Sequence, residues 1–468
     1  MGDWLVQIFR SSYDTLYMAT FIVAIFLFIS GFDDIFVDLY YWFHHWLMKK
    51  KFNKFRYETP EKLYQLEEKT IAIFVPAWHE QDVIDKMLLN ACRTIQYKNY
   101  DIFVGVYPND PGTISRVELV SKQYPNVHAV VADKPGPTTK ADNLNGIHAG
   151  MIKWENKTGV RYDIIVMHDS EDVIHPLSLK VDNALIPEYD MVQMPVFPLD
   201  TSHLNLVHWT YADEFAEYHT KDLFVRQHFS GFVPSAGVGT AFNRWIIEFV
   251  GTSFAKNIFR TNALTEDYDL ALRLALGRAN LLFVYKPFGI DCATRGYFPH
   301  SMGASIRQKS RWITGICLQS WQTIGWRGDA KFRFVLYRDR KAVIANIINF
   351  FAYIVILYLI SYEAIRLGFA AYRELPPIVT KGTILWDLVV IDSLLMIWRI
   401  MHRFVTVRRV YGIWAAILSI FRLPISNIIN FSATGRALYQ FTKAALRKKE
   451  LKWEKTAHHF PTATEHSS

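Results

Sequence analysis

Asp163-Ile-Ile-Val-Met-His-Asp-Ser-Glu-Asp172 joins an uninterrupted apolar run to three carboxylates within four residues. Such a run, closed by a polar turn, fits a strand buried on both faces, as in a parallel sheet. Carboxylates crowded at the end of that strand repel one another unless they share a cation. Hard divalent ions such as Mg2+ or Mn2+ take oxygen ligands of this kind together with substrate phosphates. The segment therefore fits a metal site that holds a diphosphate; a plain acidic turn after a strand is the alternative.

Working outward, Ile71-Ala-Ile-Phe-Val75, Ile102-Phe-Val-Gly-Val-Tyr107 and His128-Ala-Val-Val131 read as further buried parallel strands. Helical patterns separate them, including 113–123 and 139–153. The alternation from Glu68 to Trp326 predicts an α/β domain with a doubly wound, mostly parallel sheet, whose ligands sit beyond the carboxyl ends of the strands. Polar residues fall at those ends: Pro76-Ala-Trp-His-Glu80 after the first strand, Pro108-Asn-Asp110 after the second, and Asp169 after the fourth.

The rest of the 468-residue chain is apolar and aromatic, with 51% hydrophobic and 15% aromatic residues. Thr15 to Phe32 and Ala342 to Tyr362 contain no charge and are long enough to cross a bilayer as helices. The first lacks a small-residue cleavage site and reads as an uncleaved anchor. Gly382 to Trp398, interrupted by Asp387 and Asp392, is a third span. Its two aspartates must face protein or water, with pairing to Arg399 or backbone groups the simplest expectation. A fourth apolar stretch, 413–431, contains Arg422 and Pro424 and reads as interfacial or re-entrant. Lys49-Lys50-Lys51 after the first span, Arg399, Arg403, Arg408 and Arg409 after the third, and a tail with Lys448, Lys449, Lys452 and Lys455 place those segments on the cytoplasmic side. The expected organisation is an anchor with a basic interfacial helix over 1–67, a catalytic domain over 68–326 and a membrane region with a basic tail over 327–468.

The net charge of +8 is clustered beside apolar segments, which suits an anionic membrane surface rather than nucleic acid. Cys92, Cys292 and Cys317 lack metal spacing and read as buried thiols. No inverted repeat points to a transporter. Three more segments carry chemistry. Pro234-Ser-Ala-Gly-Val-Gly-Thr240 is a small-residue loop that lets backbone approach a ligand. Thr265-Glu-Asp267 opens a helix that Thr265 can cap. Gln308-Lys-Ser-Arg-Trp312 offers a bidentate phosphate partner and a flat platform suited to a sugar, or else a juxtamembrane aromatic belt.

Taken in order, Asp110, Asp169 with Glu171, Asp267, and Gln308 with Arg311 and Trp312 resemble the signature of the membrane-anchored family 2 glycosyltransferases with a GT-A core, the group of cellulose, chitin and hyaluronan synthases. Lys140-Ala-Asp-Asn-Leu-Asn145 resembles that family's segment beside the donor diphosphate. Val75-Pro-Ala-Trp78, Tyr107-Pro-Asn-Asp-Pro111 and Arg307-Gln-Lys-Ser-Arg-Trp312 are similar to its bacterial phage-adsorption protein B branch. His79 departs from an expected Asn, and the metal segment reads Asp-x-Glu-Asp rather than Asp-x-Asp.

The resemblance implies an inner-membrane, multi-pass, inverting and metal-dependent glycosyltransferase with its catalytic domain in the cytoplasm. Its donor is expected to be a UDP-sugar, and its acceptor a growing polysaccharide or a lipid-linked glycan for the cell surface, with an envelope secretion partner. It further implies that Glu80 and Asp110 contact the nucleoside, Lys140 the diphosphate, and Asp169 with Glu171 or Asp172 a Mg2+ or Mn2+ ion. Asp267 is the implied general base, Arg311 adds positive charge, Trp312 packs on the acceptor sugar and Gln308 positions it. A catalytically inactive envelope scaffold or phage-receptor component is the alternative; the acids at Asp110, Asp169 and Asp267 argue against it.

Overall fold

The computed structural model of the chain describes residues 2–47, 54–253 and 257–447. Lys49, Lys50 and Lys51 and the tail lysines used above to orient the chain lie outside the described residues. The strands are β1 (Ile71–Pro76), β2 (Tyr100–Val106), β3 (Val127–Val131), β4 (Ile164–Met167), β5 (Met191–Gln193), β6 (Val196–Pro198), β7 (Thr240–Asn243), β8 (Leu281–Phe283) and β9 (Thr294–Gly296). The helices that shape the site are α1 (Gly2–Leu47), α2 (Ile84–Thr94), α3 (Pro111–Gln123), α4 (Lys140–Thr158), α5 (Leu206–Glu217), α6 (Leu223–Ser230), α7 (Arg244–Ser253), α8 (Glu266–Leu276), α9 (Met302–Trp312), α10 (Ala330–Gly368) and α11 (Ile384–Arg447).

Seven strands form one sheet in the order β3-β2-β1-β4-β7-β5-β8. Only β7 runs against the others, between β4 and β5. Parallel pairing elsewhere confirms the doubly wound α/β sheet read from the apolar runs. Because successive side chains of a strand point to opposite faces, each run feeds two cores. Ile71, Ile73 and Val75 pack with Ile102, Val104 and Val166 on one side. Ala72 and Phe74 pack with Phe103, Leu144 and Met167 on the other. Each large side chain so buried contributes about 1.5–3 kcal/mol, and both faces must be covered by helices. The strand ends are then the one place where polar groups can gather.

Two helices, Arg10–Leu47 within α1 and Ala330–Gly368, are long and apolar enough to cross a membrane. They are joined by charge. Asp33 accepts from Arg338 at 2.6 Å and Lys341 at 2.7 Å, and Asp34 pairs with Arg338 at 3.1 Å and with Arg399. The pairing of Arg399 with Asp387 or Asp392, expected from sequence, is not what the structure shows: its guanidinium goes to Asp34. Asp392 lies seven residues away on the same helix, beyond the three- or four-residue spacing that brings helical side chains together.

The stretches expected to be a third span and an interfacial segment both lie in α11, whose helix is interrupted at Gly412 (φ 86°, ψ −177°); α11 is not among the helices long and apolar enough to cross a membrane found among the described residues. Beyond the bend, Ala415, Ala416, Ser419, Arg422, Ser426 and Ala433 are buried, while Trp414 (71% exposed) and Phe421 (73%) face outward. Arg422, the charge that made this stretch look interfacial, is fully buried. It donates to Asp213 of α5 at 2.8 and 2.7 Å. Phe431 stacks on Phe350 of α10 at 3.9 Å, so this segment ties the α/β domain to an apolar helix.

Candidate active site

A cavity of about 570 Å³ lies at the carboxyl ends of β1 and β4 and continues to the floor made by α1, α10 and α11. Of the residues singled out from sequence it brings together Glu80, Lys140, Asp169, Glu171, Asp172, Asp267, Gln308, Arg311 and Trp312.

The loop after β1 carries Trp78, His79 and Glu80. His79 has a left-handed backbone (φ 54°). Its N–H donates to Asp110 Oδ2 at 2.6 Å, and Asp110 Oδ1 caps α3 by accepting from Thr113 N at 3.3 Å. The Glu80 N–H donates to Thr113 Oγ1 at 2.9 Å. Asp110, the expected nucleoside contact, is buried beside the cavity and uses one oxygen on the cap and the other on the neighbouring loop. Burial works against its charge, yet the donors from Thr113 and His79 outweigh that and hold its pKa below the usual value. The expected nucleoside end is lined instead by Trp78, Glu80, Tyr107 and Asn143. Trp78 packs edge-on to Tyr107 at 5.0 Å.

Lys140 is the first residue of α4, behind the N-cap Thr139, whose hydroxyl accepts from Asp142 N at 3.2 Å. Its ammonium lies 2.5 Å from Asp169 Oδ1 and 3.8 Å from Glu266 Oε1. Burial disfavours the charged lysine, but Asp169, Glu266 and Asp267 overcome this and raise its pKa. Burial and the Asp267 charge push Glu266 up to about 7. Burial also raises Asp267, against the pull of Lys140. Three carboxylates therefore surround one ammonium in a secluded pocket, a surplus of negative charge that a cation relieves.

Asp169 and Asp172 part company within the turn after β4. Asp172 Oδ2 accepts from the Asp169 N–H at 3.0 Å and lies 2.9 Å from His168 Nδ1. Among the described residues, no three His, Cys, Asp or Glu side chains stand as a ready ligand set. The expected ligands, Asp169 with Glu171 or Asp172, all line the cavity; Asp172 also braces the turn, while Asp169, about a third exposed, faces the cavity. That donor set still fits Mg2+ or Mn2+, which commonly bind through one or two carboxylates and complete their shell with substrate phosphates and water.

Thr265 occupies the N-cap of α8, but its side chain makes no capping bond, another departure from expectation. Asp267 is held in two other ways. Its Oδ1 accepts from the Tyr268 N–H at 2.7 Å. On the other side, Gly237, with φ 74°, presses so close that a Cβ there would lie 2.6 Å from Asp267 Oδ2. The loop bearing Gly237 is organised by Gln193 of β5, which sequence reasoning missed. Gln193 Oε1 accepts from Ala236 N at 2.8 Å and Thr240 Oγ1 at 2.7 Å, while its Nε2 donates to Val238 O at 3.0 Å. Behind Thr265, Gln319 clamps the approach to α8 by accepting from Leu264 N at 3.0 Å and donating to Asn262 O at 3.1 Å.

Gln308, Arg311 and Trp312 line the cavity from α9. Lys309 points away, to both Glu214 oxygens at 2.7 Å and to Asn430 at 2.9 Å, so α9 is fixed from behind by α5 and α11. Trp312 packs against Tyr211 and Phe215, with centroids 5.9 and 6.2 Å apart.

Residues 68–315 match the model of the family described as glycosyltransferase like family 2. Two curated relatives, bacteriophage adsorption protein B of Escherichia coli strain K12 and bacteriophage N4 adsorption protein B of Escherichia coli O157:H7, are each 37% identical over 487 aligned positions. Each alignment covers 99% of this chain and 64% of the relative, so the chain spans less than two thirds of their length. Among solved structures, the mannosyltransferase PcManGT from Pyrobaculum calidifontis, in complex with GDP-Man and Mn2+, aligns at a TM-score of 0.48 and 14% identity, covering 87% of this chain and 99% of its own.

Proposed function

The chain belongs to the glycosyltransferase like family 2, and from that premise we propose that it is an inverting, divalent-metal-dependent transferase acting at the cytoplasmic face of a bacterial inner membrane. It moves a sugar from a nucleotide-diphosphate donor, a UDP-sugar in this reading, to a growing polysaccharide or lipid-linked acceptor. The observation that carries the reading is the gathering of Lys140, Asp169, Glu266 and Asp267 in one cavity with Arg311 and Trp312.

The donor lies with its nucleoside toward Trp78 and Glu80, and its diphosphate over the N-terminus of α4. There the Lys140 ammonium and the helix dipole both favour negative charge. Asp169, with Glu171 or Asp172, would hold a divalent ion, which would supply positive charge to the departing diphosphate. Asp267 takes the proton of the acceptor hydroxyl as that oxygen bonds to the anomeric carbon and the carbon–diphosphate bond breaks on the opposite face. A base raised above ordinary carboxylates is better matched to that task near neutral pH. Arg311 adds fixed positive charge, Gln308 orients the acceptor, and Trp312 gives its sugar a flat apolar support.

The test is metal-dependent nucleotide release from a panel of nucleotide sugars, with and without acceptor. Asp267→Asn should lower transfer by about 10²- to 10⁴-fold while sparing donor binding. Undiminished turnover in that variant removes Asp267 from the role of base.

A further inference from the structure

Behind Trp312 a second chamber of about 390 Å³ opens off the cavity. At one end it shares Glu214, Tyr218, Asp222, Trp312, Arg338 and Asp339 with the main cavity. At the other it is apolar, walled by Val37 of α1, Val225 and Phe229 of α6, and Phe334, Val335 and Ala342 of α10. Ala342 begins the uncharged run to Tyr362, and Val37 lies just past Asp33 and Asp34, which close the first one. The apolar end therefore sits where the two apolar helices enter their hydrophobic stretches, and the polar end opens onto the acceptor platform.

The polar end also has a charge preference. Two guanidiniums face the chamber, and both are engaged: Arg226 forks onto Asp339, and Arg338 meets Asp33 at 2.6 Å and Asp34 at 3.1 Å. Three carboxylates face it as well: Glu214 is engaged by Lys309 at 2.7 Å and Asp339 by Arg226, which leaves Asp222. Asp222 Oδ1 is buried without a hydrogen-bond partner; its nearest cation is Lys221 Nζ at 3.6 Å. A phosphate placed there meets the Asp222 carboxylate, whereas a hydroxyl can donate to its unfilled oxygen.

We propose that this chamber binds the apolar chain of a membrane lipid bearing an uncharged, hydroxylated head, and that the head reaches past Trp312 to serve as acceptor. The proposal rests on the glycosyl-transfer reading for its second half only. The reaction is the one already given: the lipid hydroxyl oxygen bonds to the anomeric carbon, the diphosphate leaves, and the proton goes to Asp267.

The test uses the full chain in lipid nanodiscs with two photoactivatable probes that carry a diazirine on the acyl chain, a diacylglycerol and a phosphatidic acid. The diacylglycerol should label peptides containing Val225, Phe229 and Phe334 and should stimulate nucleotide release. Val225→Phe, which fills the chamber, should cut labelling and stimulation about tenfold while leaving donor turnover to water unchanged. Val225→Ala, which enlarges it, should keep both, so a folding defect in the first variant is recognised. Equal labelling by phosphatidic acid overturns the head-group preference, and labelling indifferent to Val225→Phe overturns the site. Chamber labelling by the diacylglycerol with no stimulation of nucleotide release overturns the acceptor role. If in addition no donor releases nucleotide with any acceptor, the transferase reading itself fails, while lipid binding stands.

Discussion

Gly237→Ala asks how closely the loop of residues 234–240 governs Asp267, the proposed base. The added Cβ would lie 2.6 Å from Asp267 Oδ2 and 3.3 Å from its Cγ, against 3.4 Å for ordinary contact, so one partner must retreat by about 0.8 Å. The loop resists, because Gln193 grips it on both sides of Gly237. Asp267 is the freer partner and is expected to move. A misplacement of about 1 Å at a reacting group can cost about 10²-fold in rate, or about 2.7 kcal/mol of barrier. The left-handed backbone adds about 1–2 kcal/mol of strain for a residue with a side chain, which appears as lost stability. Gly239→Ala is the matched control: it shares the left-handed backbone (φ 57°), but its Cβ meets Thr294 instead of Asp267. With initial rates of nucleotide release, a thermal melt and donor titration, Gly237→Ala should lose about 10²-fold in kcat with donor affinity kept. Gly239→Ala should lose comparable stability and little rate. Equal rate losses in the two variants, or wild-type kcat in Gly237→Ala, refute the claim that this loop sets the position of the base.

Three further outcomes follow from the same geometry. Lys140→Met removes the one ammonium among Asp169, Glu266 and Asp267, and should raise the donor KM and sharpen the requirement for divalent metal, read from rate against metal concentration. Asp213→Ala strands the fully buried Arg422 and should cost about 3–5 kcal/mol in denaturant unfolding, while Asp213→Leu combined with Arg422→Met should recover most of it. His148, whose pKa is lowered to about 4 first by burial and then by Arg244, binds its proton less readily folded than unfolded. Stability should therefore fall as pH drops from 6.5 toward 4, and His148→Phe should flatten that limb of the melting curve.

The parallel half of the sheet was legible because β1, β2 and β4 are buried on both faces and so appear as unbroken apolar runs, with β3 a partly exposed edge strand beside them. Strands β5 to β9 span only three or four residues, too short for a period to emerge. Asp110 carries a second signal: Asp110-Pro111 followed by Thr113 is an N-cap with proline at the first helical position, and that cap takes one of its oxygens. Asp172 likewise has partners in the backbone and ring of its own turn, which its spacing in sequence does not announce. Gln193 left no trace in sequence: it serves backbone groups 43 to 46 residues away. The partner of Arg422 lies 209 residues upstream, so only the folded chain shows that this charge belongs to the catalytic domain rather than to an interface.

The two ends of the cavity obey different charge rules, and this bears on how metal dependence should appear. At the end proposed for the donor one ammonium faces three carboxylates, so charge is unbalanced until a cation and a diphosphate arrive together. Toward α1, α10 and α11, Arg338, Lys341, Arg399 and Lys221 are matched by Asp33, Asp34, Asp38 and Glu217. A floor of paired charges offers many donors and acceptors without net attraction for an ion, which suits a polyol rather than a phosphate. Metal removal should therefore weaken the nucleotide far more than the acceptor, because the electrostatic deficit is confined to the half of the cavity where Lys140 and Asp169 meet.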